Sequence, residues 1–206
     1  FDASEALAMP GVVKAKAIRA GVVVLADSYW RAQKARDKLK ITWDRGVNAG
    51  VSSEQFYSDY RALAETPGML AEDIGDALGV LLAADDVVEA TYEMPLLAHA
   101  TLEPMNCIAQ IEGDSCTIWS GTQYQSNDQE VISRFLGIPQ QNVTIHRPLM
   151  GGSFGRRSSK TADYTVEAVE AAMGESVPVQ IIWSREEDIR SGHYRPLFVH
   201  KLRGSV

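Results

Sequence analysis

The sequence predicts an α+β fold with α/β elements, and three observations carry that prediction. Short runs rich in β-branched residues, such as Gly21-Val22-Val23-Val24-Leu25-Ala26, recur between helical stretches. Serine followed three residues later by Gln or Glu, at Ser52/Gln55, Ser126/Gln129 and Ser184/Glu187, marks helix starts. The resulting order of strand, helix, strand, loop, helix and strand calls for some βαβ crossovers.

Strands are expected at 11–17 and 21–26. Ser28 is expected to cap a helix through Leu39, with a strand at Lys40–Trp43 after it. Gly46, Asn48 and Gly50 make Asp44–Ser53 a linker. A helix runs from the Ser52 box to about Ala64 and stops at Glu65-Thr66-Pro67-Gly68. A short helix at Asp73–Ala84 and a strand at Asp86–Met94 come next. Asn106–Glu112 and Ser115–Ser120 form a hairpin. The Ser126 box opens a helix to Leu136, closed by Gly137-Ile138-Pro139. Asn142–His146 is a strand. Lys160–Met173 is a helix with Tyr164, Ala168, Ala171 and Ala172 toward the core. Val177–Trp183 is a strand, Ser184 caps a helix to about Arg190, and Phe198–Leu202 is the last strand.

The 206 residues suffice for one large or two small domains with a real core. A net charge of -7 argues against bulk attraction to nucleic acid or anionic membrane. No apolar run is long enough to cross a bilayer. The chain opens Phe1-Asp2-Ala3 and closes just after a strand-like run, so it reads as a piece of a longer polypeptide whose targeting signals are not in view. Cys107 and Cys116 flank the turn Glu112-Gly113-Asp114-Ser115. A two-residue Gly-Asp loop sets Ile111 opposite Cys116 and leaves the sulfurs roughly 13 Å apart along the strands, too far for a disulfide. Both read as free, buried, small apolar residues, and two cysteines without nearby histidine are a poor metal-ligand set.

The most informative segment is Met150-Gly151-Gly152-Ser153-Phe154-Gly155-Arg156-Arg157, a glycine loop ahead of a predicted helix. Glycine admits close approach of backbone N–H groups to a ligand, successive N–H groups form an anion-binding concavity, and a helix N-terminus adds its dipole. The arginines are bidentate donors suited to phosphate. The segment fits neither Gly-Lys-Ser/Thr nor G-x-G-x-x-G phosphate motifs. By its residues alone it suits an oxygen-rich or phosphate-bearing ligand, or a glycine turn with two solvated arginines.

Five blocks, in order, carry a resemblance: His99–Cys107, Ile118–Gln123, Leu136–Pro139, Met150–Arg157 and Pro178–Asp188. Together they resemble the molybdopterin-binding large subunit of the xanthine dehydrogenase/aldehyde oxidase family. The nearest branch is the isoquinoline 1-oxidoreductase beta-subunit group, with membrane-bound bacterial aldehyde dehydrogenases; the doubled arginine and the LAHATLEPMNC block point there. The resemblance implies that residues 1–45 end a small hammerhead-like α/β domain, 46–69 are a linker with a helix, and 70–206 begin the molybdopterin-binding domain. It implies a molybdenum hydroxylase that oxidises an aldehyde or N-heteroaromatic compound with water as oxygen source. Electrons would pass to a separate iron–sulfur subunit, and a membrane cytochrome is a further expected partner. A bacterial source implies the cytosine dinucleotide form and a cell-envelope location. Gly151, Gly152, Ser153, Phe154 and Gly155 match the loop that approaches the molybdenum oxygens and pterin phosphate, and Phe154 also walls the substrate pocket. Arg156 is placed to reach phosphate, Arg157 reads as a surface charge, and Gln123 lies close to the cofactor or caps a strand end. The family's catalytic glutamate falls near its C-terminus, so no catalytic residue is assigned within this chain, and the piece alone is expected to be inactive. Glu103 reads as a structural carboxylate paired with backbone or arginine, and His99 as a satisfied interior group. Leu97 stands where classical members carry glutamine, and Ser158 where purine oxidisers carry glutamate, which argues against xanthine. Two rival readings are a non-catalytic subunit that keeps the scaffold, and an unrelated anion-binding α/β domain.

Overall fold

The computed structural model describes residues 1–205. Its helices are α1 (Ser4–Leu7), α2 (Tyr29–Arg36), α3 (Ser53–Leu63), α4 (Ala77–Ala83), α5 (Gln125–Leu136), α6 (Asp163–Ala172) and α7 (Arg185–Arg190). Its strands are β1 (Val12–Ile18), β2 (Gly21–Ala26), β3 (Val87–Met94), β4 (Asn106–Glu112), β5 (Ser115–Trp119), β6 (Val143–His146), β7 (Val179–Ile182) and β8 (Phe198–Ser205). The α+β expectation is borne out. The described residues form two compact units, one of residues 1–43 with 98–193 and one of residues 44–97 with 194–205, so the linear order is interleaved.

The first unit is built on a sheet of order β6-β5-β4-β7. The β4–β5 hairpin turns on Gly113 at φ +55°, and its register sets Ile111 opposite Cys116, as the two-residue loop requires. Strands β5 and β6 run parallel, so α5 is the crossover between them. Cys107 and Ala109 point inward from β4, and α6 lies over this strand with Tyr164, Ala168, Ala171 and Ala172 buried. The three alanines let helix and sheet approach closely. Both cysteines are free and buried; burial pushes the Cys107 thiol well up and that of Cys116 to about 11, so neither is a thiolate at neutral pH. The β1–β2 hairpin forms a separate two-stranded sheet in this unit.

The second unit pairs β3 with β8 in antiparallel register from Val87↔Ser205 to Met94↔Phe198, and α3 and α4 lie against β8. Among its described residues only Leu197 is buried. Bidentate Arg61–Glu93 contacts at 2.6 and 2.7 Å tie α3 to β3.

Local signals mislead at three places, and one expected cap acts without its bond. Lys40–Trp43 is not a strand: Asp2 and Lys40 exchange one pair of backbone bonds, and Trp43 is exposed. Ser126 is not a cap but lies in the first turn of α5; Tyr124 holds the N-cap position, and its N–H donates to the Thr122 hydroxyl at 3.1 Å. Ser28 occupies the N-cap of α2 without a side-chain bond. Residues 160–162 precede α6 as a turn, with Ala162 at φ +49°.

Candidate functional site

Met150–Arg157 lies in the first unit, between β6 and α6. No long helix follows it directly. A three-residue 3-10 turn, Arg156–Ser158, comes next, so the helix dipole expected behind the loop is missing. The loop needs its glycines. Gly152 and Gly155 both sit at φ +97°, and a Cβ on Gly151 would lie 2.7 Å from Glu103 Cβ. Phe154 adopts φ +53° with its side chain exposed, a conformation costing about 1–3 kcal/mol for a residue with a Cβ.

Both arginines face inward. Arg157 was expected at the surface, yet its residue is 1% exposed. Its Nε donates to Gly152 O at 3.2 Å and its Nη1 to Gly121 O at 3.3 Å. Its Nη2 donates to Glu103 O at 3.0 Å and to Glu103 Oε1 at 3.1 Å. Arg156 is 3% exposed and forks onto Asp163 at 3.1 and 2.7 Å, beside the rings of Trp183 and Tyr164. Gly192 closes the other side, where a Cβ would stand 2.4 Å from Arg156 Nη2. Asp163 occupies both terminal nitrogens of Arg156, so a phosphate would meet this guanidinium there only by displacing Asp163; its Nε is buried without a hydrogen-bond partner. Each buried cation is matched by a carboxylate, as burial demands.

Glu103 is the structural carboxylate that its setting before proline suggested. Its Oε2 accepts the Gly151 N–H at 2.6 Å, and its Oε1 accepts from Asn106 Nδ2 at 2.7 Å as well as from Arg157. Burial raises its pKa, but Asn106, the Gly151 amide and Arg157 together hold it below the usual carboxylate value. Gln123 meets the loop from the end of β5. Its Oε1 accepts the Gly155 N–H at 3.2 Å and also the Ser153 hydroxyl, and its own N–H donates to Arg157 O at 2.9 Å. The bond from Gly155 fixes the amide orientation, which leaves Gln123 Nε2 as a donor with no acceptor among the described residues. His99 is half-buried, its Nε2 3.9 Å from where a Gly155 Cβ would sit.

The backbone of the loop shows one consistent pattern. Gly151 O accepts from Glu103 N at 3.1 Å, Gly152 O from Arg157 Nε at 3.2 Å, and Ser153 O from Arg156 N at 2.9 Å. A trans peptide sets its N–H opposite its C=O. Each bonded carbonyl therefore sets the N–H that follows it, of Gly152, Ser153 and Phe154 in turn, pointing away from that carbonyl's own partner. None of the three has an acceptor among the described residues. Each of them, like Gln123 Nε2, is a neutral donor of the kind that suits an oxygen atom of a ligand. The fit to molybdopterin rests on these groups: the cofactor presents molybdenum-bound and phosphate oxygens, and donors are what this loop offers. Among the described residues no cluster of His, Cys, Asp or Glu is arranged to hold a metal ion.

Sequence reasoning missed Thr122, Asp128 and Asp163. The Thr122 hydroxyl contacts Asp128 Oδ2 at 2.5 Å and accepts the Tyr124 N–H, which anchors the strand end carrying Gln123. Asp128 is 3% exposed, and burial pushes its pKa up to about 6, against the lowering effect of the Thr122 bond. Asp163, in the first turn of α6, has no local spacing signature that links it to Arg156.

Residues 63–205 match the molybdopterin cofactor-binding domain. The chain belongs to that family. The resemblance read from the five sequence blocks is borne out. Isoquinoline 1-oxidoreductase subunit beta of Brevundimonas diminuta is 27% identical over all of the chain, and the match spans 27% of that protein. The membrane-bound aldehyde dehydrogenase [pyrroloquinoline-quinone] of Gluconacetobacter polyoxogenes is 29% identical over 98% of the chain and 27% of its own length. Among solved structures, the aldehyde oxidoreductase of Desulfovibrio gigas superposes with a TM-score of 0.73 at 20% identity, covering 98% of this chain and 27% of that one, and so shares the fold. The chain thus spans about a quarter of the length of these relatives.

Proposed function

We propose that this chain is the part of a molybdenum hydroxylase large subunit that grips the cofactor through the Gly151–Gly155 loop. The carrying observation is the run of three N–H groups at Gly152, Ser153 and Phe154, each set opposite an inward-bonded carbonyl. Bound molybdopterin would supply the two-electron redox chemistry of its molybdenum. The chain's own residues donate to oxygen atoms of that group: three backbone amides, and Gln123 Nε2 beside them. Gln123 and Ser153 brace the loop, and Phe154, exposed at its tip, walls the space where substrate arrives.

The whole enzyme in this reading oxidises an aldehyde or an N-heteroaromatic compound with oxygen from water. The names of the relatives support that range of substrates. Its general base is a glutamate elsewhere in the polypeptide, electrons leave to an iron–sulfur subunit and onward to a membrane cytochrome, and the cofactor is the cytosine dinucleotide form. A bacterial envelope location goes with this set. The test is metal and nucleotide analysis of the full-length subunit co-expressed with its small partner in a cofactor-competent host. Near-stoichiometric molybdenum with released pterin nucleotide is expected. A folded complex without molybdenum would sink the proposal and leave the non-catalytic scaffold reading.

A further inference from the structure

We infer that Arg157 is a positioning residue for the ligand-binding loop, acting through the Gly152–Ser153 peptide. This rests on the cofactor reading above. Three loop carbonyls face inward, but they are held differently. Gly151 O and Ser153 O are bound by the backbone N–H groups of Glu103 and Arg156. Gly152 O, the middle one, is bound by a side chain alone, Arg157 Nε at 3.2 Å. The Gly152–Ser153 peptide itself is therefore held by a single guanidinium, while the Ser153 hydroxyl and carbonyl are tied to Gln123, Arg157 N and Arg156 N.

That guanidinium is well placed to be rigid. Its Nη1 is fixed on Gly121 O, and its Nη2 on Glu103 O and on the Glu103 carboxylate. Its main chain is clamped too, with Arg157 N on Ser153 Oγ at 3.2 Å and Arg157 O receiving the Gln123 N–H. One side chain thus joins the end of β5, the Glu103-Pro104 segment and the glycine loop. Its planar fork serves several acceptors at fixed angles, which a lysine ammonium cannot do. Lysine would keep the charge against Glu103 and most of the volume but lose the bond from Nε to Gly152 O. The Gly152–Ser153 peptide would then be free to rotate, and its N–H would no longer be presented in advance.

The experiment compares wild type, Arg157→Lys and Arg157→Met in the full-length subunit assembled with its partner. It reads the melting temperature, molybdenum and pterin content, and cofactor loss during dialysis. Arg157→Lys is expected to fold with a melting temperature several degrees below wild type, since some of the buried carbonyls lose their donor, and to lose cofactor about 10- to 100-fold faster at a temperature where both proteins are fully folded, the range for one oriented hydrogen bond lost. Arg157→Met is expected to lose it at least as fast. Wild-type retention in a folded Arg157→Lys or Arg157→Met protein overturns the inference. Failure of both variants to fold also overturns it, since Arg157 would then serve the fold first. A wild type that carries no molybdenum sinks the cofactor reading itself, a separate outcome from retention in the variants.

Discussion

Replacing Asp128 by Asn should stabilise the protein at alkaline pH and do little at acid pH. The carboxyl is 3% exposed, and burial lifts its pKa from 3.8 to about 6 despite the bond from Thr122. Folded chains therefore hold this proton up to about pH 6, whereas unfolded chains release it near 3.8. Across that window the native state binds more protons than the unfolded state, so stability falls as pH rises and the loss is complete above pH 6. A difference of about 2 units at about 1.4 kcal/mol each gives an upper bound of about 3 kcal/mol. Asp128→Asn keeps an oxygen to accept from Thr122 and removes the buried charge. Thermal unfolding at pH 8, 6 and 4 checks it, with about 2–4 °C per kcal/mol in a chain of this size. The variant should melt higher at pH 8, with the gain shrinking below pH 6 and nearly gone by pH 4. A variant that melts lower than wild type at pH 8 would refute the claim that desolvation outweighs the hydrogen bond at this site.

Other substitutions test the loop and its surroundings. Gly151→Ala places a Cβ 2.7 Å from that of Glu103, so it should break the bonds that join Gly151 to Glu103 and cost about 1–3 kcal/mol, seen as a lower melting temperature and faster cofactor loss. Gln123→Glu preserves an acceptor for Ser153 and Gly155 but replaces the outward donor by a negative charge; it should fold normally and hold molybdopterin about tenfold or more less tightly, measured by retention on dialysis. Ser184→Ala removes one half of the α7 capping box, the bond that the serine hydroxyl accepts from the Glu187 N–H at 3.2 Å, and leaves the backbone half at 2.7 Å; it should cost about 1 kcal/mol in thermal unfolding without altering cofactor content.

What could be read from the sequence was what short-range chemistry decides. The Ser184 box was visible because both its bonds close within four residues, and the β4–β5 register followed from the length of its turn. The same logic failed at Ser126, where Thr122 and Asp128 fix the strand end ahead of α5 and displace the start of the helix. It failed at Lys40–Trp43 because a strand needs a partner, and beyond Lys40 the segment finds none among the described residues. At the site, the glycines announced a loop that admits close backbone approach, and two of them prove to sit at positive φ. The destinations of the arginines stayed hidden, because Glu103 stands 54 residues before Arg157 and no spacing rule connects them.

That hidden pairing changes the physics of the site. Two arginines beside a glycine loop look like a cationic trap. In the fold, Arg156 is neutralised by Asp163 and Arg157 by Glu103, so little net charge remains for a ligand to feel. What remains is directional: peptide dipoles whose carbonyls are bonded inward, and one amide whose orientation Gly155 fixes. A trap built on charge would attract any anion and weaken in salt. A set of fixed dipoles favours oxygen atoms at set positions and is screened far less at contact distance. In the proposed reading the two arginines have separate parts: Arg156 is spent on Asp163, while Arg157 holds the backbone around the loop still by binding four carbonyls, including Pro104 O at 3.4 Å.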